Sequence, residues 1–356
     1  MTILSRYLLR TNVFYILACL LLGVGIYILS DMFDRLDDFV EAGLGLATIA
    51  TYFAVKTPLI ISQILPMIFL LSAVVQLSIM ARNRELLALQ SAGVSLERML
   101  SFFIVYGLVW ALLQLGFSQF VGVKGEQEAY RIWKEEVRGE AIDNRVMNDV
   151  WFKEGPYVVK IDTLMPYRGE GSGVTVYTLD EQGMTWARII RAETFRAGTD
   201  GWLLYNARVL DPATFSFRTD DVLRLGMTHD LEAHTAMEGD PAQLPLWRLS
   251  TEIDRLQASG SNVERLRSAW HMKLAYAFSI PVMALLALAI VSWSDNIYVN
   301  VALSMFLAFT YYGAFVVGAS AGEKGLVPPL AGAWAANVLF GILALSRLNW
   351  ALRSRR

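Results

Sequence analysis

Residues 57–81 read TPLIISQILPMIFLLSAVVQLSIMA, a run of 25 residues without a charged side chain. A helix needs about 20 apolar residues to cross the roughly 30 Å hydrocarbon core of a bilayer. The run is therefore long enough to span a membrane as one helix. Pro58 and Pro66 lie inside it, so we expect the helix to bend at one of them, and it is expected to begin in the 14 uncharged residues before Lys56, residues 42–55.

Five further runs of 20 to 27 residues are also free of charged side chains: 11–30, 99–123, 274–294, 296–322 and 325–346. Hydrophobic residues make up 55% of the 356-residue chain, above the roughly 45–50% of soluble domains. The mean hydropathy is +0.41. We predict an α-helical membrane protein with six transmembrane helices, three before and three after a long insert.

Basic residues in the short loops indicate the orientation of these helices. On one side lie Arg6, Arg10, Arg82, Arg84, Arg98, Arg347, Arg353, Arg355 and Arg356. On the other side lie Arg35, Lys56 and Lys324. We therefore expect both termini to be cytoplasmic and the insert to be extracytoplasmic. The single cysteine, Cys19, falls within the first run, which leaves no intrachain disulfide.

The insert has a different composition from the rest of the chain. Its short runs, rich in β-branched and aromatic residues, are DVWFKEG, PYVVKIDT, GVTVYTLD, MTWARIIRAETF, GWLLYNARVL and TFSFRTDDVLRLG. Turn residues separate them, which predicts an antiparallel β-sandwich or jelly roll with flanking helices. We expect PYVVKIDT or GWLLYNARVL to offer an open edge or groove. The predicted domains are 1–123, with the first three transmembrane helices, 124–268 for the insert, and 269–356 for the last three.

A short charged segment, RNRELLALQSAG at residues 82–93, separates the second and third apolar runs. It predicts a helix that begins at Glu85 and is closed by Gly93. One interpretation is a solvated loop or interfacial helix. The other is a coupling helix, about residues 84–93, that docks on a separate cytoplasmic ATPase.

Common catalytic and metal-binding motifs are missing from the sequence. It has no G-x-x-x-x-G-K-[ST] phosphate loop, H-E-x-x-H pair or G-x-S-x-G elbow, so we predict no catalytic residues, no bound metal and no enzyme. His229 and His234 are expected to be surface residues or an adventitious metal pair. The six runs carry no ionisable Asp, Glu, Lys or Arg, which argues against an ion-coupled carrier.

Four features in chain order carry a family resemblance: RNRELLALQSAG, the tripeptide GEQ at residues 125–127, the β-rich insert, and LSTEIDRLQASGSNVERLRSAWHMKL before the fourth run. With the three-plus-three helices, the chain resembles the LptF/LptG permeases of the lipopolysaccharide-export ABC transporter. The stretch LPMIFLLSAVVQLSIMARNRELLALQSAG is more similar to the G-type than to the F-type.

The resemblance implies a permease subunit in the inner membrane of a Gram-negative bacterium. Such a subunit extracts lipopolysaccharide and passes it towards the outer membrane. The implied partners are an LptF-type paralogue, a dimeric LptB-type ATPase, a periplasmic bridge protein and a membrane-anchored LptC-type protein. ATP and Mg would be bound by the ATPase, so no cofactor is expected in this chain, and no nucleic acid.

The resemblance also suggests site residues. It places Glu85 on the helix that enters the ATPase cleft, and the predicted coupling residues are Arg84, Glu85, Leu86, Leu89 and Gly93. Basic residues expected near the outer surface of the inner membrane are candidates for binding the lipid phosphates: Arg35, Lys56, Arg131, Lys134 and Lys273.

Each basic candidate has an ordinary alternative. Lys56 could extend its ammonium to the outer headgroups, and Arg131 and Lys134 could pair with Glu128 or Glu135 on the same helix. Four acidic residues beside the first candidate are unexpected near a polyanion: Asp31, Asp34, Asp37 and Asp38. The alternative functions are a lipoprotein-handling or mechanotransmitting ABC permease, or a non-transporting receptor or scaffold.

Overall fold

The computed structural model describes residues 3–94, 96–139, 146–179, 186–198, 201–227, 241–258 and 262–353. The chain forms two compact units. The membrane unit comprises Met1–Tyr130, Pro245–Ser250 and Glu264–Arg356, and the β unit comprises Arg131–Leu244 and Thr251–Val263. The predicted insert, residues 124–268, is wider at both ends than the β unit.

Helices account for most of the membrane unit. In chain order they are α1 (Ile3–Glu41), α2 (Leu46–Arg82), α3 (Glu85–Ser91), α4 (Leu96–Phe117), α5 (Val123–Ile132), α6 (Leu246–Ala258), α7 (Glu264–Ala277), α8 (Ser279–Val291), α9 (Ile297–Glu323) and α10 (Pro329–Arg353). A π-helical turn, Ser118–Gly122, joins α4 to α5, and a second, Trp133–Val137, extends α5. The last residues of α5 and α6 belong to the β unit.

Five stretches of the described residues are long and apolar enough to cross a membrane as straight spans: α1, α2, the combined α4–α5 helix, α9 and α10. Helices α7 and α8 qualify together but meet at an angle of 40°. Pro281 explains the break, because it has no N–H to bond the carbonyl of Ala277 four residues earlier. The structure therefore contains five apolar spans, or six if this bent pair counts as one.

Helix α2 begins at Leu46, within residues 42–55 where its start is expected, so both prolines lie in its interior. Pro66 leaves the carbonyl of Ser62 without its helical donor. The buried side-chain amide of Gln114 on α4 replaces that donor: its Nε2 donates to the Ser62 carbonyl oxygen at 3.2 Å. The carbonyl is therefore satisfied without water.

Helix α8 lies at the centre of the membrane unit, with ten of its residues buried. Helices α9 and α10 approach so closely that a Cβ on Gly318 would collide with the carbonyl oxygen of Gly332. The buried Asn337 of α10 adds polar contacts. Asn337 accepts a hydrogen bond from the Tyr311 hydroxyl (2.8 Å) and donates to the Ala275 carbonyl (2.7 Å).

Among the described residues of the β unit, six antiparallel strands form one sheet. They are β1 (Met147–Glu154), β2 (Tyr157–Met165), β3 (Glu170–Leu179), β4 (Trp186–Gly198), β5 (Gly201–Asp211) and β6 (Ser216–Leu225). Their order in the sheet is their order in the chain. Val159, Ile161, Val174 and Val176 pair across β2 and β3 and are completely buried, so one face of the sheet forms a core.

The sheet is strongly curled. Trp202 of β5 stacks on Phe195 of β4 with ring centroids 4.5 Å apart, and its ring also lies 5.9 Å from Phe152 of β1. Strands β1 and β5 would be about 19 Å apart in a flat sheet, at about 4.8 Å per strand. The sheet therefore rolls until its first and fifth strands meet across the core.

The strand order corrects part of the predicted β fold. A jelly roll has Greek-key connections between two sheets, whereas the described strands form one meander. The short connections between consecutive strands favour this order, because each strand can pair with the one before it. The two strands predicted to offer an edge, β2 and β5, are each paired on both sides. The edges of the described sheet are β1 and β6.

Trp202 should contribute strongly to the stability of the β unit, because its buried ring joins strands that are distant in the sheet. We expect Trp202→Ala to lower the free energy of unfolding by about 3–5 kcal/mol. Trp202→Phe should cost less, since it keeps an aromatic ring and removes an indole N–H that has no acceptor among the described residues. Pulse proteolysis of the full chain in detergent measures both. Equal resistance of the two variants and the native protein would contradict this role.

Candidate functional site

The predicted cytoplasmic helix is present as α3. Arg84 precedes it with a positive φ of 59°, which is uncommon for a residue with a side chain, and the chain turns sharply there. Gly93, at φ 85°, closes the helix, and the N–H of Val94 bonds the Leu89 carbonyl at 2.9 Å. This six-to-one hydrogen bond is the Schellman arrangement. Both ends of α3 are therefore fixed by backbone geometry.

The Glu85 carboxylate lies at the N-terminus of α3, where the helix dipole favours a negative charge. It accepts a hydrogen bond from the Tyr7 hydroxyl of α1 at 2.9 Å and one from the Asn83 amide at 3.3 Å. These contacts are on the exposed surface. Glu85 therefore also links α3 to α1 within this chain.

The two predicted leucines of α3 are half-buried, and Leu86 packs against the core of the membrane unit. Leu87 is the more exposed side chain, at 60%. Beside α3 lies a cleft of about 610 Å³ that extends to the end of α8. Its lining includes the apolar side chains of Leu77, Met99 and Leu288 and the charged side chains of Arg82, Arg84 and Asp295.

Two of the predicted phosphate-binding residues meet at Asp31. Its Oδ1 accepts from Arg35 Nε at 3.0 Å, and its Oδ2 accepts from Lys56 Nζ at 2.6 Å. Lys56 also lies 3.4 Å from the Tyr52 hydroxyl. Both cations are positioned over the Tyr52 ring, 5.9 Å and 5.3 Å from its centroid. Asp31 therefore neutralises part of the basic pair and joins α1 to α2.

The GEQ tripeptide lies on α5 next to this part of α2. A Cβ on Gly125 would collide with the carbonyl oxygen of Val55, the residue before Lys56. The glycine is therefore needed for α5 to approach the backbone of α2.

Of the five basic candidates, Arg35 and Lys56 share a described contact, the Asp31 carboxylate. Arg131 forms an ion pair with Glu135 at 2.8 Å, one of the two pairings expected from the sequence. Arg131 and Lys134 belong to the β unit, and Lys134 lies in the π-helical turn after α5. Lys273 lies on α7 in the membrane unit and is half-buried.

Sequence reasoning missed three residues of these sites. These are Tyr7, Asp31 and Tyr52. Tyr7 contacts Glu85 from 78 residues away and Asp31 contacts Lys56 from 25 residues away, whereas Tyr52 lies four residues before Lys56. The unexplained acidic cluster was the signal for Asp31. No signal in the sequence pointed to Tyr7.

The described residues contain no group of three or more His, Cys, Asp or Glu side chains that could hold a metal ion. His229 and His234 lie outside the described residues.

Comparison with known proteins assigns the chain to a family. Residues 6–350 match the family described as lipopolysaccharide export system permease LptF/LptG. A comparison with curated proteins gives no match. The match covers nearly the whole chain, including all ten helices and six strands described above up to residue 350. With its apolar spans and its separate β unit, the chain is a multi-pass membrane protein that belongs to the LptF/LptG family of lipopolysaccharide-export permeases.

Proposed function

We propose that this chain is the G-type permease of a lipopolysaccharide exporter. It takes lipopolysaccharide from the inner membrane and passes it through the β unit to a periplasmic bridge. A separate cytoplasmic ATPase of the LptB type binds ATP and Mg and drives the transfer. The observation that carries the proposal is the family match over residues 6–350 together with α3, a short helix fixed at both ends.

Helix α3 is suited to transmit force. Its backbone is held by Arg84 at one end and Gly93 at the other, and Leu86 anchors it to the core. Movement of α3 therefore displaces the helices on which it packs. Leu87 and the Glu85 carboxylate are the exposed groups available to an apolar and cationic groove of the ATPase.

The basic pair at Asp31 supports recognition of a lipid phosphate. Arg35 and Lys56 are held close together on adjacent helices, and a phosphate oxygen can accept from both. The Lys56 side chain is 11% exposed, so a phosphate would meet it in a partly desolvated setting. We propose that Arg131, Lys134 and Lys273 bind further phosphates of the same substrate.

The curled sheet supports a role as a conduit. One face carries a buried apolar core, and the exposed edge strand β6 carries large apolar side chains, including Phe217 and Val222. An edge with unpaired backbone groups can add a strand from a partner with a similar fold. The proposed partners here are the LptF-type paralogue, the LptC-type protein and the bridge protein.

A lipoprotein-handling or mechanotransmitting permease is the alternative within transport. A receptor or scaffold is the alternative outside it. A receptor would tolerate replacement of α3 by a flexible loop, whereas an ATPase-coupled permease would not.

The arginine asymmetry predicts which residues face the cytoplasm. In a Cys19→Ser background, an impermeant maleimide should label Asp220→Cys in intact cells and leave Ser91→Cys unlabelled until the cells are opened. Labelling of Ser91→Cys from outside would overturn the orientation and the docking role of α3 with it.

Glu85 should carry the coupling to the ATPase. We expect Glu85→Ala, and more severely Glu85→Lys, to weaken complex formation by about 2–5 kcal/mol and to lower lipid-stimulated ATP hydrolysis. Insertion into the membrane should stay normal. Co-purification yield and ATPase rate in nanodiscs measure these effects.

Tyr7→Phe is the matched control for Glu85, because it removes the internal hydrogen bond and leaves the carboxylate intact. It should retain most of the coupling. If Tyr7→Phe were as defective as Glu85→Ala, the carboxylate would serve to position α3 on α1 rather than to bind a partner.

Strand β6 should contact a partner or the lipid. Photo-crosslinking residues placed at successive positions from Phe217 to Val222 should capture a neighbour at alternating positions, as the period of a strand requires. Arg191 on the central strand β4 is the control position. Capture that is absent along both β1 and β6 would count against the conduit.

A further inference from the structure

The Asp31 carboxylate is bonded to both of the cations that are proposed to bind a lipid phosphate. Its two oxygens accept from two different cations, Arg35 on the same helix and Lys56 on α2. The side chains of Asp31 and Lys56 are only 14% and 11% exposed. A phosphate that approaches Lys56 or Arg35 therefore meets a carboxylate that already accepts from both of them.

The two cations lie over a closely packed group of aromatic side chains. Tyr52 lies under both of them, and its ring packs edge-on against Phe39 and Phe53. All three aromatic side chains are buried. The cations are therefore held in place by the Tyr52 ring as well as by the Asp31 carboxylate. A phosphate can then replace the carboxylate with little rearrangement of the aromatic side chains.

We infer that Asp31 is a specificity-determining residue, an internal anion that competes with the substrate's phosphate for Lys56 and Arg35. This inference rests on the proposed function. Binding of the phosphate exchanges one anion for another and releases the ion pair between α1 and α2. The ligand class is a lipid that carries a phosphomonoester.

Charge explains why a phosphomonoester is selected. At neutral pH a monoester carries about −1.5 to −2 charges and three strong acceptor oxygens, whereas a carboxylate has one charge and two oxygens. A phosphodiester lipid also carries one charge, no more than Asp31 itself. The monoester can displace the Asp31 carboxylate from the two cations, whereas the surrounding phosphodiester lipids cannot and leave the ion pairs of Asp31 intact. Asp31 thus sets a threshold for occupancy of the site.

A competing internal anion lowers the apparent affinity by the fraction of molecules in which the site is open. Asp31→Asn removes the competitor, so it should tighten binding of a bisphosphorylated lipid A to the assembled complex in nanodiscs on the order of tenfold, or about 1.4 kcal/mol. Binding of phosphatidylglycerol should tighten as well. Asp31→Glu keeps the competing charge and should restore an affinity near that of the native protein.

Asp34→Asn is the matched control. It makes the same change of charge one turn away on an exposed part of α1, so it reports only long-range electrostatics. Lys56→Gln should loosen lipid A binding. Equal tightening by Asp31→Asn and Asp34→Asn would overturn the inference, as would loosening by Asp31→Asn to the level of Lys56→Gln.

A second measurement does not depend on removal of the ion pair. Spin labels at Phe33 on α1 and Ala54 on α2, in a Cys19→Ser background, report the distance between the two helices. Lipid A should change that distance, and phosphatidylglycerol should not. Inorganic phosphate, compared with sulfate at matched ionic strength, shows whether the phosphate group suffices or the acyl chains are also needed. A change of distance with lipid A or with inorganic phosphate supports the exchange. A distance that neither lipid A nor phosphate changes would contradict it.

The outcomes separate this inference from the proposed function. If Lys56→Gln loosens lipid A binding while Asp31→Asn behaves as Asp34→Asn, the phosphate site stands and only the competition by Asp31 fails. If the native complex does not bind lipid A, both fail.

Discussion

The membrane unit depends on one constraint, that every backbone polar group in hydrocarbon must find a partner within the protein. Helix α2 meets this constraint with help from its neighbours. Pro66 frees the Ser62 carbonyl, and Gln114 of α4 supplies the missing donor. The side-chain amide of Asn300 on α9 donates to the Ser78 hydroxyl of α2 at 2.9 Å. The helices that satisfy α2 are thereby fixed around it.

Helix α2 also organises the charged site at Asp31. Lys56 is bonded to α1 through Asp31, and α5 lies against the Val55 carbonyl because position 125 has no side chain. A lysine in such a place is costly to bury without an anion. The site therefore contains a negative as well as a positive charge before any substrate binds. The Asp31 carboxylate stabilises the buried lysine and is not simply an obstacle to an anionic substrate.

Much of the fold could be predicted from the sequence because the signals are local. Uncharged runs of 20 residues or more indicate spanning helices, and the positions of Glu85 and Gly93 indicate the ends of α3. The bounds were less predictable: α1 continues to Glu41, since a helix need not end where the hydrocarbon does. The strands were visible as β-rich runs, but their order depends on pairing between strands. The edge strands were therefore assigned wrongly.

The sites divide in the same way. Residue type and spacing pointed to Glu85, Arg35 and Lys56, and the acidic cluster pointed to Asp31, whereas the contacts of Tyr7 with Glu85 and of Asp31 with Lys56 could be found only from the folded chain. Contacts between residues far apart in sequence leave no periodic pattern to read.

Helix α1 runs without a break through its 39 residues and contains no proline. Tyr7 near one end contacts α3, and Asp31 near the other end contacts α2. At 1.5 Å per residue these two contacts are about 36 Å apart along one stiff rod. A tilt of the rod at the α3 end swings the Asp31 end in the opposite sense about any pivot between them. The distance between the two contacts thus becomes a lever arm, and events on the two membrane surfaces share a single moving part.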